Sequence, residues 1–122
     1  DIIIVGYQTS NVKQAPSMPQ ALSVTEITSS SISLEWATTP EAAMYEVFVS
    51  RDQSTWLPLD PVPATVADEN DIISYTVSDL SPGTTYYFKA NSADVAGVRS
   101  LDTDTVVGTT LGSEGSFQII SA

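Results

Sequence analysis

Apolar residues recur at every second position in a series of short segments, the period of a half-buried β-strand. The run SISLEW places Ile32, Leu34 and Trp36 on one face and Ser33 and Glu35 on the other. MYEVFVS groups Tyr45, Val47 and Val49 against Met44, Glu46 and Phe48. SYTVSDL aligns Tyr75 with Val77, and Leu80 follows past the strand end. TYYFKANS aligns Tyr86, Phe88 and Ala90, leaving Tyr87 and Lys89 to face outward. ALSVTEI before these runs and LDTDTVVGTT after them read as weaker strands. No segment carries a helical stripe of useful length. Short strands in this number, separated by turns, predict an all-β, seven-stranded antiparallel sandwich.

The breaks agree with that reading. LPLDPVPATVADEND holds Pro58, Pro61 and Pro63, which withhold backbone donors and keep an exposed edge from recruiting another chain. Ser81-Pro82-Gly83 reads as a tight turn, with proline presetting its φ and glycine free to take a positive one. Composition points the same way. The chain has 17 serines, 14 threonines and an apolar content dominated by valine, isoleucine and aromatics, a strand-forming mixture.

With 122 residues the chain suits one domain, able to bury roughly two-thirds of its unfolded surface. It has no cysteine, hence no disulfide framework and no thiol nucleophile. It has no histidine either, which removes the usual general base and the commonest metal ligand. Fifteen acidic residues against four basic ones give a formal charge of −11. Such a surface repels phosphates and anionic lipids, so nucleic acid and membrane insertion are not expected. No apolar run approaches the ~20 residues of a membrane helix. The sequence opens at Asp1 rather than Met, which reads as a processed chain or an excised piece.

Trp36 closing one strand, YEVFVS about ten residues later, and then YTVSDLSPGTTYYFKANSADVAG together resemble a fibronectin type III domain over residues of about 18–110. Leu80, Pro82, Gly83, Thr84 and Tyr86 match the family's corner between its fifth and sixth strands. The resemblance implies an immunoglobulin-like sandwich with Trp36, Tyr45, Leu80, Tyr86 and Phe88 in its core. It also implies a corner role for Tyr86, its ring buried and its hydroxyl bonded to nearby backbone. Gly97 matches the glycine of the family's last loop. Ala90, where the family has a larger aliphatic, and the lengthened proline-rich stretch are departures.

Candidate chemistry is sparse. The adhesion tripeptide Arg-Gly-Asp is missing, since Ser50-Arg51-Asp52-Gln53 lacks the glycine. Asp68, Glu69, Asn70 and Asp71, and separately Asp102 and Asp104, offer oxygen ligands, but neither set has the spacing of a calcium loop. They read as hydrated loops, and no metal or cofactor is expected. A carboxylate pair for glycoside hydrolysis lacks a pocket in a sandwich of this size, and serine near Lys13 or Lys89 lacks any motif. Catalysis is therefore not expected. Phe48, Trp56 and Tyr87 lie outside the core pattern; Trp56 is expected to cover the sandwich edge beside Leu57, and the other two to neighbour each other across strands.

The ends carry the functional expectation. The sequence divides into an N-terminal arm (1–17), the sandwich (18–110) and a C-terminal arm (111–122). Ile2, Ile3, Ile4 and Val5 in the first arm, and Phe117, Ile119 and Ile120 in the last, are apolar and β-prone, unlike a flexible linker. They are expected to be buried as additional strands within the chain or on a neighbouring subunit. The chain thus reads as a structural or assembly part of a virion, filament or cell-surface adhesin. It would be extracellular, with copies of itself or neighbouring domains as partners. The alternative is an accessory spacer or weak carbohydrate-binding module of a secreted polysaccharide-degrading enzyme.

Overall fold

The computed structural model describes residues 15–112, and the apolar arm residues Ile2–Val5 and Phe117–Ile120 lie outside them. Eight β-elements follow in chain order: β1 (Gln20–Ile27), β2 (Ile32–Ala37), β3 (Met44–Ser50), β4 (Leu57–Pro58), β5 (Val62–Pro63), β6 (Ile72–Val77), β7 (Thr85–Ala93) and β8 (Val106–Thr109). A single 3-10 turn, Ala64–Val66, lies between β5 and β6. The strands form two antiparallel sheets. One has the order β1-β2-β6; the other has the order β4-β3-β7-β8, with β5 also paired to β3. The elements β4 and β5 act as one edge strand broken in two, so the sandwich has seven strand positions. Pro58 and Pro63 explain the break, because each removes a donor from a pairing that already has only two residues.

The period-two alternation is what fills the interior. Ile32, Leu34 and Trp36 from β2 meet Tyr45 and Val47 from β3, Ile73 and Val77 from β6, and Tyr86, Phe88 and Ala90 from β7. Trp36 is 1 % exposed and stands edge-on to Tyr45, with ring centroids 5.6 Å apart, so one aromatic contact joins the two sheets. Leu80 is half-buried at the margin of this cluster. Ala90 is fully buried, and the smaller residue at this departure from the family pattern sits inside the core.

Two poles close the sandwich. At one, the Ser17 carbonyl accepts hydrogen bonds from Thr39 Oγ1 at 3.1 Å and Ser92 Oγ at 2.6 Å, while the Tyr45 hydroxyl accepts the Thr39 N–H at 2.9 Å. At the other, Leu111 N–H donates to Thr28 O at 3.0 Å and Gly83 N–H donates to Leu111 O at 2.8 Å. Gly83 sits at φ +58°, the left-handed region that the Pro-Gly turn requires. Residues 15 and 112 therefore leave the sandwich at opposite ends.

The segment read as the last strand is mostly not one. Only Val106–Thr109 is regular, and residues 99–105 are held to β7 by hydroxyls. Ser100 Oγ accepts the Ser92 N–H at 2.9 Å, and Thr103 Oγ1 accepts the Ala90 N–H at 3.0 Å. Their own N–H groups donate back to Ser92 O and Ala90 O, both at 2.8 Å. Side-chain oxygens replace ladder carbonyls here, so the backbone bends away while the edge of β7 stays satisfied.

Candidate functional site

The outward face of the β3-β7-β8 sheet collects the described side chains best placed for contact. Alternation aims Glu46 and Phe48 outward from β3, and Tyr87, Lys89 and Asn91 outward from β7. Register then sets Glu46 opposite Asn91, Phe48 opposite Lys89, and Tyr87 opposite Val107 of β8. Trp56, delivered by the loop before β4, lies under Lys89, whose ammonium is 4.5 Å from the ring centroid. Lys89 also pairs with Asp102 at 2.9 Å. At the other end of the face Arg99 donates twice to Glu46, at 2.6 Å and 3.1 Å. Asn91, 4 % exposed, bridges the two pairs by donating to Asp102 at 3.4 Å.

This strip neutralises itself. Hydrogen bonds from Arg99, and then its positive charge, hold the Glu46 carboxyl below the usual carboxylate range against the opposing effect of burial, and Glu46 in turn raises Arg99. Arg51 lies over the Tyr86 ring at 5.4 Å, so each of the three cations among the described residues is engaged within the domain. Half-buried Phe48, Trp56 and Tyr87 supply apolar area between the charges. The arrangement is a self-paired row of charges interleaved with half-buried aromatic rings.

The Glu46 shift has a consequence in acid. A carboxyl lowered in the folded state contributes stability above its unfolded pKa and loses it as pH falls through the folded value. In an NMR titration Glu46 is expected to have a midpoint below the usual carboxylate range for glutamate, and Arg99→Gln is expected to move it up. An unchanged midpoint in that variant would show the pair to be broken in solution.

The other acidic residues build loops. Asp68 Oδ1 accepts the N–H groups of Asn70 and Ile72, at 2.8 Å and 3.0 Å. Asp94 Oδ1 does the same for Ala96 and Val98, both at 2.9 Å. Asp52 Oδ1 accepts from Ser54 and Thr55, and these backbone donors with the Ser50 hydroxyl hold its carboxyl low. Asp102 belongs to the Lys89 pair, so the two acidic groups of the sequence serve different ends. No cluster of three or more acidic residues among the described ones is arranged to hold a metal ion.

Trp36, Tyr45, Tyr86 and Phe88 converge in one core, and the Tyr86 hydroxyl accepts the Ser81 N–H at 3.0 Å. Trp56 is half-buried under Lys89, directly before the edge element β4, and its neighbour Leu57 is 59 % exposed. Sequence reasoning passed over Thr39, Ser92 and Thr110, buried hydroxyl residues that tie Ser17 at one pole and the Ser81–Thr84 turn at the other. Their only sequence signal is a hydroxyl on a strand end, which a Ser- and Thr-rich chain repeats everywhere.

A family model of the fibronectin type III domain matches residues 17–106. Similar solved structures include a β-1,2-glucanase from Parabacteroides distasonis, with TM-score 0.69 and 22 % identity, the match covering 84 % of this chain and 14 % of the glucanase chain. The fibronectin type III domain of human fibronectin type III domain containing protein 3 gives 0.67 and 25 %, covering 85 % of this chain and 94 % of that one. An Fn3-like protein from Clostridium thermocellum gives 0.61 and 21 %, covering 77 % and 92 %.

Proposed function

Since the chain belongs to the fibronectin type III family, whose domain is a general module for protein–protein interaction, we propose that it is a non-catalytic structural module of an extracellular surface assembly. A virion shell or tail, a filament or a cell-surface adhesin are the settings in view, and the terminal arms make the subunit contacts. The supporting observation is how the described domain spends its polar groups. Its hydroxyls and carboxylates hold loops and chain ends, and its cations are paired or stacked, which leaves a self-neutralised, aromatic-lined sheet face for contact. The apolar arm sequences Ile2–Val5 and Phe117–Ile120 add the need for a covering surface, at about 1.5–3 kcal/mol for each large side chain buried. Its partners are other protein subunits, copies of itself or neighbouring domains, and not nucleic acid or a bilayer interior.

Deleting residues 1–14 tests this. The truncated protein is expected to stay folded and monomeric, because residues from β2, β3, β6 and β7 build a contiguous core between them, and particle or filament formation is expected to be lost. Normal assembly by the truncated protein would return the chain to a simple spacer.

A second reading is an accessory spacer or weak sugar-binding module of a polysaccharide-degrading enzyme. The glucanase similarity and the Phe48, Trp56 and Tyr87 row favour it. Trp fluorescence during titration with soluble glucans separates the two, since a saturable change demands a sugar site on that face.

A further inference from the structure

The two sheets end in four edges, and three of them are built to refuse another strand. β4 and β5 carry Pro58 and Pro63. β1 is interrupted by two register shifts and by Ala21 at φ 58°. β8 has only four residues. Prolines, bulges and shortness are the usual protections of an edge. β6 has none of them. Its six residues pair with β2 in unbroken register and include no proline and no basic side chain.

The free groups on that edge can be named. Thr38 N–H donates to Asp71 O at 2.9 Å, one step beyond the Ala37–Ile72 pair. Antiparallel alternation then turns Ile73, Tyr75 and Val77 toward β2, and Ile72, Ser74 and Thr76 outward. Asp68 occupies both groups of Ile72: its N–H donates to Ile72 O at 2.9 Å, and its Oδ1 accepts the Ile72 N–H at 3.0 Å. The N–H and C=O groups of Ser74 and Thr76 have no partner among the described residues. Alongside them Tyr75 is half-buried, its hydroxyl reaching Asp60 O at 3.4 Å.

The beginning of β6 is also near the exit of the N-terminal segment. Ser17 is bonded to Thr39, and the adjoining Thr38 is bonded to Asp71. Fourteen residues precede Ala15. Fully extended they reach roughly 50 Å, against about 20 Å for a six-residue strand. Such an arm can span from one copy to the β6 edge of another.

We propose that the β6 edge is the docking site for Ile2–Val5 of a second copy, which adds a fourth strand to the three-stranded sheet through the free groups of Ser74 and Thr76. The proposal rests on the assembly reading, and names the surface that the arm takes. Exchange of an arm between identical copies needs no surface beyond the edge itself.

Sedimentation velocity and amide hydrogen exchange on the full chain and two variants test it. Thr76→Pro removes an outward donor and leaves the β2 ladder bonded. Ile3→Pro with Val5→Pro changes the arm and alters no residue of β1 to β8. The full chain is expected to self-associate, with Ser74 and Thr76 amides exchanging at least about tenfold more slowly than in the arm variant. Both variants are expected to be monomeric. A folded Thr76→Pro protein that associates like the full chain would place the arm elsewhere, overturning this proposal while the assembly reading stands. A monomeric full chain with those amides protected would put the arm on its own sandwich and overturn it too. A monomeric full chain with unprotected amides would end both readings. If Thr76→Pro does not fold, the arm variant decides: loss of association together with loss of protection supports the edge, and loss of association alone refutes it.

Discussion

Replacing Trp36 with alanine is expected to lower stability by about 3–5 kcal/mol, the range for truncating a large buried aromatic. The indole is 1 % exposed and lies between sheets, edge-on to Tyr45 at 5.6 Å and tilted against Tyr75 at 6.4 Å. Its Nε1 has no hydrogen-bond partner among the described residues, so the loss is one of packing. Neighbours from β3 and β6 are tied into their own ladders and cannot collapse far into the space. A domain of this size has a total stability of roughly 5–15 kcal/mol, so the variant should be near its unfolding threshold. Urea denaturation gives the measurement: a midpoint shift at unchanged slope is expected, and a midpoint within error of the parent would defeat the core assignment.

The second large effect is expected where one residue is gripped from both sides. Ser81 donates its N–H to the Tyr86 hydroxyl at 3.0 Å, and its carbonyl accepts from Thr110 Oγ1 at 2.6 Å. Thr110 Oγ1 also accepts the Thr84 N–H at 2.9 Å, and Thr110 is 3 % exposed. Tyr86→Phe and Thr110→Val each keep shape and remove a hydroxyl, leaving backbone groups short of a partner. Each is expected to cost about 1–3 kcal/mol. Because both act on one turn, the double variant should deviate from additivity by about 0.5–3 kcal/mol. Strict additivity in a double-mutant cycle would mean that the two hydroxyls hold Ser81 independently.

The core was readable because its signal is local. Trp36, Tyr45, Tyr86 and Phe88 each lie in an alternating run, and alternation alone decides which face is buried. The corner was readable from adjacent residues, Leu80 to Tyr86. The outer face was less so: Lys89, Trp56 and Asp102 meet only after β3, β7 and the 99–105 segment are in register, and no spacing in the chain announces that. The irregular 99–105 segment was hidden for a different reason. Ser100 and Thr103 have strand-compatible side chains, and only the geometry shows that their hydroxyls supplant ladder carbonyls.

Because residues 15 and 112 leave at opposite poles, a pull applied through them would run the length of the sandwich. β1 starts at the Ser17 pole and β8 ends at the Leu111 pole, so a pull on the two ends slides β1 along β2 and β8 along β7. Hydrogen bonds loaded in shear yield together, whereas a hairpin peeled from its tip gives way one rung at a time. Before either ladder is stressed, the load meets the Ser17 bonds to Thr39 and Ser92 at one end and the Leu111 bonds to Thr28 and Gly83 at the other. A string of such units would transmit force along its length through its anchored ends, with each sandwich acting as a stiff link.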